Sequence, residues 1–309
     1  MRLIKETDIK FMSQSRFAFF LSGPVILAVL ISLFLQGGPR LSIDFKGGTL
    51  VAVQFIEDMD ANDVRQSMGA VSIEGRAHDY SRAEIKHFGS ARDISVRLPI
   101  LEDQPENFPQ LIVNHLYDSF PTVVPADQND FILSIDKVGP KIGAELSGKA
   151  VMAIVSALLL ILIYISIRFE FKFAVGAIAA LSHDVLITIG IFSIMDYEIS
   201  LPIIAAFLTI VGYSLNDTIV ILDRVRENVK SMKRISYSDM VDQSINDSLS
   251  RTIITSITTF LVVLILYLFG GEVIHYFAFA MMIGVVVGTY SSMYVACPIV
   301  VQLHKGIKS

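Results

Sequence analysis

TIITSITTFLVVLILYLFGG occupies residues 252–271 and carries no charged side chain. A helix rises 1.5 Å per residue, so about 20 such residues cross the apolar core of a bilayer. Outward from this stretch, further charge-free windows run over 17–39, 150–167, 199–216 and 273–304. A sixth, 173–195, is broken only by Asp184, and the 199–216 window resumes after Asp217 through 218–222. Six membrane-spanning helices are therefore expected, at about 17–36, 147–167, 173–194, 200–222, 252–270 and 276–302. The composition agrees. Of 309 residues, 53% are hydrophobic and only 18% charged, where a soluble protein carries about a quarter charged. Lys+Arg is 25 against 30 Asp+Glu, a net charge of −5, which argues against a nucleic-acid binder with its basic stripe. The single Cys297 excludes an intramolecular disulfide and argues against a Cys-based zinc site. Trp is absent, so an interfacial aromatic belt has to be Tyr and Phe. The first apolar run is too long for a signal peptide and no small-x-small site follows it, so a retained anchor is expected.

Lys and Arg placement sets the orientation. Arg2, Lys5, Lys10 and Arg16 precede the first span. Arg168 and Lys172 flank the second and third, and Arg224, Arg226, Lys230, Lys233 and Arg234 fill 223–250. Lys305 and Lys308 follow the last span. The short connections 195–199 and 271–275 hold Asp196, Glu198 and Glu272 and no Lys or Arg. All basic connections fall on one side, as expected for both termini in the cytoplasm. Tails at 1–16 and 303–309 are then cytoplasmic, and the hydrophilic block at 38–141, between the first two spans, lies outside.

Within that block, alternating apolar residues predict strands at Leu50–Ile56, about 73–88, Ile94–Ile100 and Phe131–Val138, with helices at Ala61–Gly69 and Phe108–Phe120. The order β-α-β-β-α-β is that of an α+β ferredoxin-like domain. His78, His87 and His115 lack metal-ligand spacing, so no metal site is expected. The segment GAELSGKA (143–150) approaches a phosphate-binding loop but ends in Ala150, which has no hydroxyl for magnesium, and reads instead as an amphipathic lead into the second span. Neither a cofactor motif nor a nucleophile–base set is found, so an enzyme is not expected. Asn216-Asp217-Thr218 and Asn246-Asp247-Ser248 are chance glycosylation sequons in spanning or cytoplasmic positions.

Ionisable residues inside the spans are few. Asp184 lies mid-span beside His183, Asp217 lies in the cytoplasmic half of the fourth span, and Arg251 opens the fifth. A charge at the centre of a span costs about 2.5–3.5 kcal/mol on insertion scales, so such residues face a bundle interior or a wet cavity. Helical spacing gives each span a polar or small face: Ala177, Ala180, Asp184 and Thr188; Thr209, Tyr213, Asn216 and Asp217; Arg251, Thr255, Thr258 and Thr259. Thr218 adjoins the second. Two acids thus share one base, and one acid has to be protonated, solvated or answered by a cation elsewhere, a setting suited to proton transport. The bland alternative is that these groups only glue helices together. Gly284 and Gly288 form G-x-x-x-G in the last span, which permits close helix contact.

Several stretches together resemble the SecD/SecF family of protein-export membrane proteins, on its SecF side. They are IDFKGGTL (43–50), VGPKIGAEL (138–146), His183-Asp184-Val185, GYSLNDTIV (212–220), DRVREN (223–228), Ser250-Arg251-Thr252 and Phe277 through Ser292 with GTYSS at 288–292. Ser42 stands where the family often has Gly. The resemblance implies half of an RND-type unit: a six-helix bundle with a periplasmic ferredoxin-like domain inserted after the first helix, in the bacterial inner membrane. It implies pairing with SecD, work beside the SecYEG channel and often YajC, and use of the proton gradient to move an unfolded polypeptide. The family's charged transport residues fall on Asp217 and Arg251, with Asp184 a further acid and Asn216, Thr218, Tyr213 and Thr255 a supporting polar face. Two rivals stay open: a scaffold that conducts no protons, and half of a small-molecule RND efflux transporter.

Overall fold

The computed structural model describes residues 7–73, 76–99, 105–168, 170–231 and 235–306. Arg2, Lys5, Lys233, Arg234, Lys308 and Ile100 lie outside the described residues. In chain order the elements are α1 (Phe11–Leu35), α2 (Ile43–Lys46), β1 (Gly48–Gln54), α3 (Ala61–Ser67), β2 (Val71–Ile73), β3 (Arg76–His78), β4 (Glu84–Phe88), β5 (Ser90–Leu98), α4 (Phe108–Ser119), α5 (Gln128–Phe131) and β6 (Ile132–Val138). Then come α6 (Pro140–Arg168), α7 (Phe171–Ile194), α8 (Leu201–Ser231), α9 (Tyr237–Phe269), α10 (Glu272–Ser291), one π-helical turn (Ser292–Ala296) and α11 (Cys297–Gly306). They form two bodies. One is helical, Met1–Arg40 with Ala150–Ser309, and the other is α+β, Leu41–Lys149.

Six helical segments are long and apolar enough to cross a membrane, the last running from Ile274 to His304 through the π turn. The helices outrun the apolar windows because charged and amphipathic turns also stay helical. α9 starts at Tyr237 rather than near 252, with the Ser236 hydroxyl accepting from Asp239 N as an N-cap. α8 runs on to Ser231, and the two extensions are joined by Arg224 Nε donating to Asp247 (3.0 Å) and Asn228 to the Ser244 hydroxyl (2.9 Å). Residues 11–16, expected as tail, are the first turns of α1, where Met12 N donates to Asp242 Oδ1 at 2.8 Å. On the opposite end, Arg40 leaves α1 and meets Asp196 and Glu198 of the α7–α8 connection, and Ile199 N donates to Arg40 O at 2.7 Å.

α7 is the buried centre of the helical body, with 56% of its apolar window covered, whereas α6 has 6% covered. Small residues let neighbours approach. Gly190 meets Val29 of α1, and Gly176 meets the Ala296 carbonyl. Gly284 and Gly288 bring α10 onto Ile210 and Ser214 of α8, so the G-x-x-x-G motif serves packing within the chain.

The α+β body holds a four-stranded antiparallel sheet in the order β4-β5-β1-β6, the ferredoxin-like arrangement. Val51 pairs with Val96 on one side and Ile135 on the other. Val51, Val53, Ile85, Ile94 and Val96 point to one face and pack against Val64 of α3 and Ile112, Val113 and Leu116 of α4. Phe55 sits edge-on to Phe131 (centroids 5.2 Å apart) and Phe120 (5.7 Å), closing one end. The stretch near 73–88 is not one strand. It divides into the β2–β3 hairpin, inserted in the first crossover, and edge strand β4. β1 starts at Gly48 rather than Leu50. Gly47 and Gly48 take φ of 74° and 145°, and a Cβ on Gly48 would lie 2.9 Å from Leu98 O, so only glycine starts the strand here. The Ser42 hydroxyl accepts from Asp44 N at 3.2 Å and caps α2, a use for the residue where the family pattern has Gly. His115 meets Ser67 O at 2.8 Å, His78 stacks on Tyr80, and His87 is exposed. Residues 143–150 are continuous helix within α6, with a Glu145–Lys149 ion pair, and form no phosphate-binding loop.

Packing at Gly284 is tight enough to test. Gly284→Val is expected to lower stability by about 1–3 kcal/mol through overpacking against Ile210. Gly23→Ala, with open space around its Cβ, is expected to change it by less than about 0.5 kcal/mol. Thermal unfolding in detergent, followed by circular dichroism, measures both.

Candidate functional site

α7, α8, α9 and α10 meet around two buried acids. Asp184 on α7 is 0% exposed. Its Oδ2 accepts from the Ser214 hydroxyl of α8 at 2.6 Å and the Ser291 hydroxyl of α10 at 2.7 Å. Its Oδ1 lies 3.0 Å from His183 Nδ1. His183, 7% exposed, places Nε2 3.1 Å from the Ser22 hydroxyl of α1. Ser22 in turn lies 3.0 Å from the Tyr290 hydroxyl, which donates to Ala18 O at 2.8 Å. Thr188, one turn on, donates to Asp184 O at 2.8 Å. Every oxygen of the Asp184 carboxyl is therefore answered.

Asp217 on α8 is 3% exposed and poorly answered. Among the described residues its one side-chain hydrogen-bond partner is the Ser256 hydroxyl of α9, 3.5 Å from Oδ2. Ser256 is 2.6 Å from the Thr289 hydroxyl, and Thr289 donates to Val285 O at 2.7 Å. With the Thr289 proton on that carbonyl, the Ser256 proton goes to Thr289, and Asp217 is left without a short donor. Nearby, the hydroxyls of Tyr213, Thr218 and Thr252 are buried with no hydrogen-bond partner among the described residues. Ser214 and Asp217 are three residues apart on α8, so one turn of that helix meets both acids.

Arg251 does not close an ion pair with Asp217 and is exposed on α9. The expected polar face of α8 divides. Tyr213 and Asp217 turn inward, while Thr209, Gly212 and Asn216 are exposed. On α9, Arg251 and Thr258 are exposed, and Thr255 spends its proton on backbone carbonyls of its own helix, Arg251 O at 3.1 Å and Thr252 O at 2.9 Å. No role was read from the sequence for Ser22, Ser214, Ser256, Thr289, Tyr290 and Ser291, although Ser214 lies within GYSLNDTIV and Thr289, Tyr290 and Ser291 within GTYSS. Ser214 sits one turn from Asp217 and so was within reach of a helical-face argument. The others come from distant helices, and hydroxyls in apolar spans are too common to signal anything by themselves.

Among the described residues no group of three His, Cys, Asp or Glu side chains could hold a metal ion. The α+β body has a cleft of about 600 Å³ whose lining includes Lys46, Arg82, Glu84 and Arg97.

Comparison with known proteins places this arrangement. The family model described as protein export membrane protein SecD/SecF, C-terminal, matches residues 121–306. The protein translocase subunit SecF of Calditerrivibrio nitroreducens is 42% identical over 305 residues, covering 97% of this chain and 96% of the relative. That of Rhodothermus marinus is 42% identical over 310 residues, covering 98% and 96%. The crystal structure of SecDF, a translocon-associated membrane protein from Thermus thermophilus, superposes with a TM-score of 0.84 at 37% identity over 97% of this chain. The chain spans 39% of the length of that SecDF chain. With six apolar helices and these relatives, it is a multi-pass membrane protein. The chain belongs to the SecF family of protein translocase subunits.

Proposed function

We propose that this chain is the SecF half of a SecD–SecF unit that uses the proton gradient to promote protein export across the bacterial inner membrane, beside the SecYEG channel and with YajC where present. The observation that carries the reading is Asp217: a carboxyl 3% exposed in a spanning helix, with no ion pair among the described residues and no hydrogen bond shorter than 3.5 Å. Such a group is uncomfortable as an anion and gains a partner when it takes up a proton, because it can then donate to the Ser256 oxygen. Asp217 binds and releases the proton, Arg251 biases that step through its field, and Asp184 is the second acid of the pathway. Tyr213, Asn216, Thr218 and Thr255 supply the polar surroundings. One charge crossing the full field is worth about 2.3 kcal/mol per 100 mV, enough to bias a conformational cycle. The mechanism needs no covalent chemistry and no cofactor.

The exposed row of Thr209, Asn216, Arg251 and Thr258 supports a helical partner with matching polar groups. A bare guanidinium facing lipid is costly, and SecD is the partner of the right kind. In this reading residues 38–141 are periplasmic, both termini are cytoplasmic, and the α+β body works on the unfolded polypeptide.

Asp217→Asn keeps the shape and removes the titrating group. Export driven by the proton gradient in inverted membrane vesicles is expected to fall at least about tenfold, ~1.4 kcal/mol of coupling, while co-purification with SecD is retained. A wild-type gradient response in that variant contradicts the reading. Arg251→Ala separates it from a passive scaffold. Lost gradient response with intact co-purification is the expected result, whereas lost co-purification with the remaining export still responsive to the gradient favours a brace. Drug sensitivity with normal export in a deletion strain would favour a small-molecule transporter.

A further inference from the structure

The hydrogen bonds around His183 can be counted as protons. Tyr290 has one hydroxyl proton, and it points to Ala18 O at 2.8 Å, because a carbonyl only accepts. The 3.0 Å contact between Ser22 and Tyr290 is then a bond only if Ser22 donates. With its single proton committed, Ser22 accepts at its 3.1 Å contact with His183, so Nε2 carries a hydrogen. The remaining 3.0 Å contact, Nδ1 to Asp184 Oδ1, also needs a hydrogen, since an imidazole lone pair facing a carboxylate oxygen is repulsive. Ser214 and Ser291 both donate to Oδ2, so the proton sits on the Oδ1 side. Whether it rides on nitrogen or oxygen, the pair holds one proton more than a neutral imidazole and a carboxylate. Its net charge is then zero, which suits a site whose acid is 0% exposed.

We propose that His183 and Asp184 form one proton-binding site, loaded in this arrangement, whose discharge breaks the Ser22–Tyr290 link between α1 and α10. On discharge one proton leaves, and one is left for the two ring nitrogens. The carboxylate claims it on Nδ1. Nε2 becomes an acceptor, and Ser22 turns its proton toward it. With the Tyr290 proton held by Ala18 O, no hydrogen remains for the Ser22–Tyr290 contact. Proton occupancy on α7 is thereby tied to one of the two hydrogen bonds that join Tyr290 of α10 to α1. The groups facing the pair from the packed elements are few: Ser22 of α1, Ser214 of α8, and Ser291 and Tyr290 of α10. Tyr294 of the π turn stacks behind Tyr290 at 5.2 Å, and the Cys297 thiol of α11 donates to Ser292 O. Asp217 of α8 turns instead toward Ser256. Among the described residues no other charged side chain bonds to the pair.

The place of this site in the export cycle rests on the proton-driven reading above, while the proton count rests on geometry alone. The test is ¹⁵N NMR of ring-labelled histidine in the full SecD–SecF complex, with His183 assigned by substitution. His183 is expected to carry a hydrogen on Nε2 near neutral pH, alone or on both nitrogens, and to switch to the Nδ1–H form as pH rises. A neutral Nδ1–H ring at every pH overturns the proposal. Tyr290→Phe frees Ser22 to donate to Nε2 and so favours the discharged form. Its pH profile for gradient-driven export is expected to move toward acid by about one unit, a tenfold weaker hold on the proton. An active variant with an unmoved profile overturns the link to Ser22 and Tyr290. An unloaded His183 alongside a dead Asp217→Asn sinks this site and leaves the Asp217 reading standing. A loaded His183 with Asp217→Asn fully responsive does the reverse.

Discussion

A carboxyl group enclosed by apolar helices has either to find donors or to give up its charge, and the helical body is arranged around that requirement. α7 runs through its middle with Asp184 fully covered. To answer Asp184, α8 has to present Ser214 and α10 has to present Ser291 to the same oxygen. That convergence is sterically demanding. It works because residue 288, one turn before Ser291, is glycine: a Cβ there would stand 3.0 Å from the Ser214 Cβ. A charge requirement on one helix thus dictates a small residue on another, and with it how closely α8 and α10 approach.

The two acids in the spans differ in how completely they are served. Asp184 has two hydroxyl donors and an imidazole. Asp217 has a hydroxyl 3.5 Å away whose proton is already directed elsewhere, and around it hydroxyls without a partner among the described residues. The first resembles a site built to hold its state until the network is rewired. The second resembles a site built to change state readily. Both lie on or against a single turn of α8, so motion of that helix bears on both. The outward polar row on α8 and α9 gives the same turn a second surface, turned away from this chain.

Much of this was legible from residue order. Six charge-free windows were enough to count the spanning helices, and alternation with two amphipathic segments was enough for the ferredoxin-like sheet order. Asp184, Asp217 and Arg251 stood out because charge is rare in such windows. Element ends were less legible. Apolar windows mark where lipid would touch, not where helical hydrogen bonding stops, so the polar extensions of α8 and α9 and the first turns of α1 escaped. Whether Arg251 reaches Asp217 is a matter of side-chain direction, which sequence spacing on two different helices does not determine. The role of His183 was not legible because its partners, Ser22 and Tyr290, are 161 and 107 residues away along the chain. The β2–β3 hairpin was hidden because three short strands in succession read as one stretch.

Infrared difference spectroscopy on the SecD–SecF unit in sealed vesicles addresses the central claim most directly, by comparing spectra with and without an imposed proton gradient and assigning the carboxyl band of Asp217 by its loss in the asparagine variant. The account predicts a protonated-carboxyl band at Asp217 that appears and disappears with the gradient. A carboxyl that keeps one ionisation state under both conditions, across the working pH range, would contradict it.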